Sequence, residues 1–183
     1  MAAASIAAPA FGYVILATSA IALQVVIHGF RFPGAARGAV FGKTFHVSQK
    51  GSPAYEALLE AHKKATGEDR LPQGGYPDMG TGRFAALLPY DQWLAFANAQ
   101  RAHYNYVEGA ATAVFLSLAS GLYFPRASAA LGLAYVLGRE AFAVGYTRYG
   151  PEKRVVGAAT LDLALLGMAG LAITGGLRQV RLA

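Results

Sequence analysis

The first thirty residues, Met1 to Phe30, contain no Lys, Arg, Asp or Glu, and no other feature constrains the chain as much. Within them, Ala10 to Phe30 (AFGYVILATSAIALQVVIHGF) is apolar throughout, over about the 20 residues that a helix needs to cross a bilayer core. A cleaved signal peptide would carry a positive n-region ahead of its apolar stretch; there is none, so a retained first helix is expected. Further apolar runs follow the same rule with exceptions. Gly109 to Pro125 is free of charge, Ala127 to Gly138 is interrupted by Arg139 and Glu140 before resuming, and Val155 to Leu177 holds only Asp162. Charged residues inside such spans are tolerated when they face a bundle interior, paired or functional.

These runs predict an all-α membrane protein, a four-transmembrane-helix bundle in one domain over 1–183. Its helices are expected at about 10–30, 91–124, 127–147 and 155–177, with a long cytosolic connection at 31–90. Composition agrees: 14% of the 183 residues are charged and 55% hydrophobic, whereas a soluble domain is about 25% charged. Four spans place both termini on one side. Eight cations between Arg31 and Gln100 (Arg31, Arg37, Lys43, Lys50, Lys63, Lys64, Arg70, Arg83) and three in the third connection (Arg148, Lys153, Arg154) face Arg126, Arg178 and Arg181 on the other side. The excess orients both connections to the cytosol and makes both termini non-cytosolic. The net charge of +6 therefore reads as topology and headgroup contact rather than nucleic-acid binding, which needs clustered cations on a soluble fold.

Zero cysteines exclude disulfides, thiolate metal sites and a thiol nucleophile from the protein itself. Any sulfur chemistry must use a ligand's sulfur. The histidines at 28, 46, 62 and 103 show no ligand spacing, so no metal is expected. His28 and Gln24 sit in the first span without a metal-like partner set, and Asp162 is expected to be structural. No G-x-S-x-G, P-loop or G-x-G-x-x-G occurs in a fitting context.

The long connection carries Pro or Gly too often for one helix. Ser52-Pro53 followed by AYEALLEAHKKAT and Gly67 has the N-cap, first-turn proline and terminal glycine of a short amphipathic helix; a poorly ordered, solvated insertion is the competing expectation. From Asp91, DQWLAFANAQRAH contains no breaker and can run into the second span. Arg101, Asn105 and Glu108 stand at i, i+4 and i+7 on one helix face, and Arg139, Phe142 and Tyr146 fall at i, i+3 and i+7 on the returning helix. At 1.5 Å per residue, Glu108 and Arg139 reach comparable depth. Two readings are open: a buried Glu108–Arg139 ion pair, with Asn105 bridging helices, or a ligand set. The collection of Arg101, His103, Asn105, Glu108, Arg139, Tyr146, Arg148, Lys153 and Arg154 at one cytosolic rim suits a small anionic ligand with several polar groups.

RAHYNYVEG (Arg101 to Gly109), Gly121-Leu122-Tyr123, Pro125-Arg126, LGLAYVLGR (Leu131 to Arg139), Gly145-Tyr146 and Pro151-Glu152-Lys153-Arg154 together resemble the MAPEG family of membrane-associated proteins in eicosanoid and glutathione metabolism, with an upstream Tyr-Pro-x-Met segment at Tyr76 to Met79. The likeness runs from about Tyr76 to Gly176 and is strongest to the type 3 microsomal glutathione S-transferase branch. It implies a four-helix subunit in a homotrimer, in the endoplasmic-reticulum membrane, with glutathione as co-substrate between subunits at the cytosolic side. Arg101, Asn105 and Glu108 match the family's glutathione-binding positions, as do Arg139 and Tyr146. Arg154 matches the arginine that activates the thiol, with Lys153 as competitor. The second substrate would be a lipophilic electrophile or a lipid hydroperoxide reached through membrane lipid. The alternative within the family is a non-enzymatic lipid-presenting protein, which has no reason to keep the Arg101, Asn105, Glu108 and Arg154 set. Three features depart from the pattern: Phe142 stands where relatives carry tyrosine, Gly109 where leukotriene-forming members carry tyrosine, and the first connection is unusually long.

Overall fold

A computed structural model of the chain describes residues 8–182; the first seven residues of the charge-free run lie outside them. Among the described residues the structure is all-helical, with no strand. Seven α-helices follow in order: α1 (Ala8–Gly29), α2 (Ala35–Val40), α3 (Lys43–Gln49), α4 (Pro53–Thr66), α5 (Tyr90–Gly121), α6 (Pro125–Tyr149) and α7 (Val155–Arg181). The described residues divide into two compact units, one of residues 8–28 and 102–182, the other of residues 29–101.

Among the described residues, three helical segments are long and apolar enough to cross a membrane: Pro9–Gln49, Pro125–Tyr149 and Pro151–Arg181. α5 has 32 residues, ample length, but Asp91, Arg101, His103, Asn105 and Glu108 dilute its apolar character. On α1, α6 and α7 the outward residues are those of a protein solvated by lipid. Leu16, Leu23, Leu137, Leu163 and Leu166 are each 60% or more exposed, and a water-facing surface would not carry so many.

In the bundle unit, small residues let helices approach closely, as expected where apolar burial gives no advantage over lipid. A Cβ at Gly138 would fall 2.8 Å from the Leu161 backbone nitrogen and 3.2 Å from the Gly157 carbonyl, and a Cβ at Gly157 would collide with the backbone of Phe142. α6 and α7 therefore touch backbone to backbone. At Gly132 the close neighbour is a side chain: a Cβ there would fall 3.0 Å from the Ala17 methyl of α1. Around these contacts Ile21, Tyr106, Tyr135, Phe142 and Leu161 form the core. Polar side chains inside it bond across helices to side chain or backbone: Thr18 Oγ1 and Ser117 Oγ are 2.8 Å apart, and Ser128 Oγ donates to the Ser117 backbone carbonyl at 2.6 Å. Such interhelical bonds contribute about 0.6 kcal/mol each in membranes.

The helical path does not stop at Arg31. It continues through a π turn at Phe30–Gly34 into α2; Pro33 lies inside that turn, where a missing N–H breaks the regular ladder and wider winding absorbs it. In the unit of residues 29–101, α4 has the boundaries its sequence predicts. Ser52 Oγ accepts from the Tyr55 N–H at 3.3 Å, Pro53 takes the first helical position, and Gly67 closes the helix at φ 80°. Val40, Phe41, Phe45, Tyr55, Leu71, Phe84 and Phe96 make a separate core, so the connection is ordered rather than a solvated insertion.

Two buried charges organise that core. Arg37 donates to the Gly74 carbonyl at 2.9 Å and to the Asp78 carbonyl at 2.5 Å, and its guanidinium lies 4.1 Å from the Tyr76 ring centre and 5.0 Å from that of Phe96. Asp78 accepts backbone N–H groups from Gly80, Gly82 and Ala85 at 2.8, 2.9 and 2.7 Å. Burial alone would raise the Asp78 pKa, but these donors, together with the Phe84 backbone N–H, outweigh it and hold the carboxyl below the usual range.

Candidate functional site

α5 and α6 each bring part of the predicted set into the bundle unit. Arg139, 3% exposed, donates from Nη1 to Asn105 Oδ1 at 2.6 Å and from Nε to Tyr135 Oη at 3.0 Å. Its guanidinium also stands 4.8 Å from the Tyr106 ring centre and 5.7 Å from that of Phe142. Gly109 makes room for it, since a Cβ there would sit 2.8 Å from Nη2. The glycine that departs from the leukotriene-forming pattern thus lies against the arginine.

From Arg139 a line of stacked groups runs along α6. Phe142 packs on Tyr146 with ring centres 5.7 Å apart, and the Arg154 guanidinium lies 5.6 Å from the Tyr146 ring centre. Arg154 Nη1 donates to the Pro151 carbonyl at 2.6 Å, within the short 3-10 turn Pro151–Arg154 that leads into α7. This bond fixes the side chain over the tyrosine. Lys153 is exposed, while its carbonyl lies against Gly145, where a Cβ would collide. Arg154 is thereby ordered and Lys153 left to solvent.

Of the remaining residues of the predicted rim, Arg148 is exposed in the last turn of α6 and the others share α5. Glu108 is exposed, Asn105 and His103 are half-buried, and His103 Nδ1 is buried with no hydrogen-bond partner among the described residues. Arg101, four residues before Asn105 on the same helix, belongs to the other unit and is exposed. Asp162 is exposed on α7.

Sequence reasoning missed a second polar cluster. Tyr106 Oη, 1% exposed, lies 2.8 Å from Gln24 Oε1 and 2.9 Å from the Ile21 carbonyl, within donating reach of both. Gln24 Nε2 donates to the Val136 carbonyl at 3.1 Å. His28, 2% exposed, sets Nε2 3.0 Å from Glu140 Oε2 and its ring edge-on to Tyr106. The signal was present in Gln24 and His28, four residues apart in an otherwise apolar helix. Among the described residues no group of three or more His, Asp or Glu could hold a metal ion.

All-helical over the described residues, with membrane-length helices and a buried arginine bonded to a half-buried asparagine beside stacked aromatic and guanidinium groups, the chain is an integral-membrane protein with a polar site in its bundle. Residues 14–174 match the MAPEG family, and the chain belongs to it. That family includes glutathione transferases, peroxidases and proteins of eicosanoid synthesis, and its members typically use glutathione. No solved structure matches the chain.

Proposed function

We propose that the protein is a membrane glutathione transferase with glutathione-dependent peroxidase activity, closest in kind to the type 3 microsomal branch. Four crossing helices, including α5, assemble as a homotrimer in the endoplasmic-reticulum membrane, with both termini non-cytosolic. The observation that carries the reading is the Arg154 side chain, held over Tyr146 by its bond to the Pro151 carbonyl in a chain of the MAPEG family. A fixed cation at that point serves thiol activation.

Glutathione fits the chemistry of the set. Its two carboxylates suit guanidinium forks, supplied by Arg101 and Arg139; its ammonium suits Glu108; its amides suit Asn105. His103, Phe142 and Tyr146 complete the wall. A free thiol has a pKa near 8.5, and the Arg154 cation lowers it by stabilising the thiolate, while the proton leaves to water. Arg154 acts electrostatically and never as a base. The thiolate then forms a carbon–sulfur bond with a lipophilic electrophile as the leaving group departs. With a lipid hydroperoxide it attacks the oxygen–oxygen bond, giving the alcohol and a sulfenic acid that a second glutathione converts to disulfide and water.

The test is a glutathione titration of the purified protein, followed by thiolate ultraviolet absorption, on wild type, Arg154→Ala and Lys153→Ala. A saturable signal lost in Arg154→Ala alone supports the assignment. Loss in Lys153→Ala alone moves the role to Lys153, and no signal in wild type moves the protein to the lipid-presenting reading.

A further inference from the structure

The unit of residues 29–101 contains a cavity of about 820 Å³ walled by residues between Gly38 and Gly74. Small-molecule sites occupy about 300–1,000 Å³. The glutathione reading makes no use of this cavity, and all of its walls lie within one unit.

Three features of the cavity point to a ligand. The buried rings of Phe41 and Tyr55 and the buried Leu71 give it an apolar floor. His46 lines it with Nδ1 3.0 Å from Tyr55 Oη, while His46 Nε2 is buried with no hydrogen-bond partner among the described residues. A buried polar atom left in that state has lost its water without gaining a partner, a cost that a ligand atom would relieve. Burial, and then the Glu56 carboxylate nearby, push the Tyr55 hydroxyl pKa up, so it stays protonated and can donate to Nδ1. The Nε2 position then carries a proton for an acceptor.

Charge selects the ligand further. Lys43 and Arg70 line the cavity against one carboxylate, Glu68, whose Oε2 lies 3.6 Å from His62 Nε2. Two cations against one anion leave a single positive charge for a guest. The backbone leaves room as well: a Cβ at Gly38, in α2, would meet nothing within 4 Å.

We propose that this cavity binds a small organic monoanion, a carboxylate on an apolar body, with its head group between Lys43 and Arg70, a carboxylate oxygen accepting from His46 Nε2–H, and its body on Phe41, Tyr55 and Leu71.

The test is calorimetric titration of the full chain in lipid nanodiscs with 1-naphthoate, beside the uncharged 1-naphthalenemethanol, each corrected against empty nanodiscs. Wild type should give saturable heat with naphthoate and at least about tenfold weaker binding of the alcohol. The Lys43→Ala/Arg70→Ala double variant should weaken naphthoate on the order of tenfold. Gly38→Leu, which fills the open space from a helical position, should abolish it. The near-ultraviolet signal of Trp93, which packs on the same core, reports whether the unit is folded; should Gly38→Leu unfold it, the double variant decides. Absence of saturable heat in wild type, equal binding of the alcohol, or undiminished binding in a folded Gly38→Leu each overturns the proposal. The glutathione titration is expected to be unchanged in all these variants, which separates this site's failure from that of the glutathione reading.

Discussion

Arg139 donates to Asn105 Oδ1 across 2.6 Å, from a position with 3% exposure. An arginine there needs acceptors, and Asn105 and Tyr135 supply two. Asn105→Leu removes one and leaves a buried guanidinium short of a partner, a loss of about 1–3 kcal/mol. Unfolding in mixed micelles should show it as a lowered midpoint, with Asn105→Asp recovering most of the difference. An Asn105→Leu midpoint equal to wild type would show that the pair carries no stability.

Gly138 and Gly157 give a sharper contrast. Alanine favours a helix over glycine by about 1 kcal/mol, so Gly→Ala stabilises where there is space. At Gly157 the new methyl collides with the Phe142 backbone, whereas at Gly170, on the same helix, it meets nothing within 4 Å. Gly157→Ala should therefore destabilise by several kcal/mol, in the range of severe overpacking, and Gly170→Ala should be neutral or stabilising. Thermal inactivation of the two variants side by side decides; equal midpoints would mean that α6 and α7 can separate without cost.

Asp78 predicts an acid limb in the stability profile. Its folded pKa lies below the ordinary value, so its contribution is complete above about pH 4. That contribution is lost as pH falls through the folded pKa. In Asp78→Asn one oxygen is replaced by an N–H₂ that cannot accept from the Ala85 or Gly80 and Gly82 amides, costing about 1–3 kcal/mol at neutral pH and flattening the limb. Chemical unfolding across that range, read by Trp93 fluorescence, measures both, and an unaltered limb in the variant would place its origin elsewhere.

Arg37 makes a similar prediction without titration. Its planar group donates to two carbonyls while lying against Tyr76 and Phe96. Lysine has neither the fork nor the plane, so Arg37→Lys should lose about 2–4 kcal/mol from the summed hydrogen-bond and cation–π contributions. Hydrogen exchange localises the effect: faster exchange should be confined to residues 29–101, and a uniform change over the whole chain would contradict it.

What was legible in the sequence is what short spacing encodes. Ser52, Pro53 and Gly67 mark α4 at both ends because caps act within a few residues, and the absence of breakers after Asp91 becomes the uninterrupted α5. The spacing of Arg139, Phe142 and Tyr146 likewise places their stacked side of α6. Partners were not legible. The sequence reading paired Arg139 with Glu108 or gave both to a ligand, with Asn105 as a bridge between helices, and in the fold Asn105 is a hydrogen-bonded partner of Arg139. Arg37 reads as one more cation in a connection, since its acceptors are carbonyls 37 and 41 residues away that no residue type announces. Tyr76 to Met79 resembles the family's Tyr-Pro-x-Met segment, and in the fold Tyr76, Asp78 and Met79 lie against Arg37.

The crossing of α6 and α7 also works as a gauge. Gly138 precedes Arg139 by one residue, and Gly157 follows Arg154 by three. Because the two backbones meet at those glycines, neither helix can slide by a residue without forcing side chains into main chain. The same contact that joins the helices therefore sets the separation of the two guanidinium groups, so their spacing is inherited from backbone geometry and does not depend on a ligand to draw them into place.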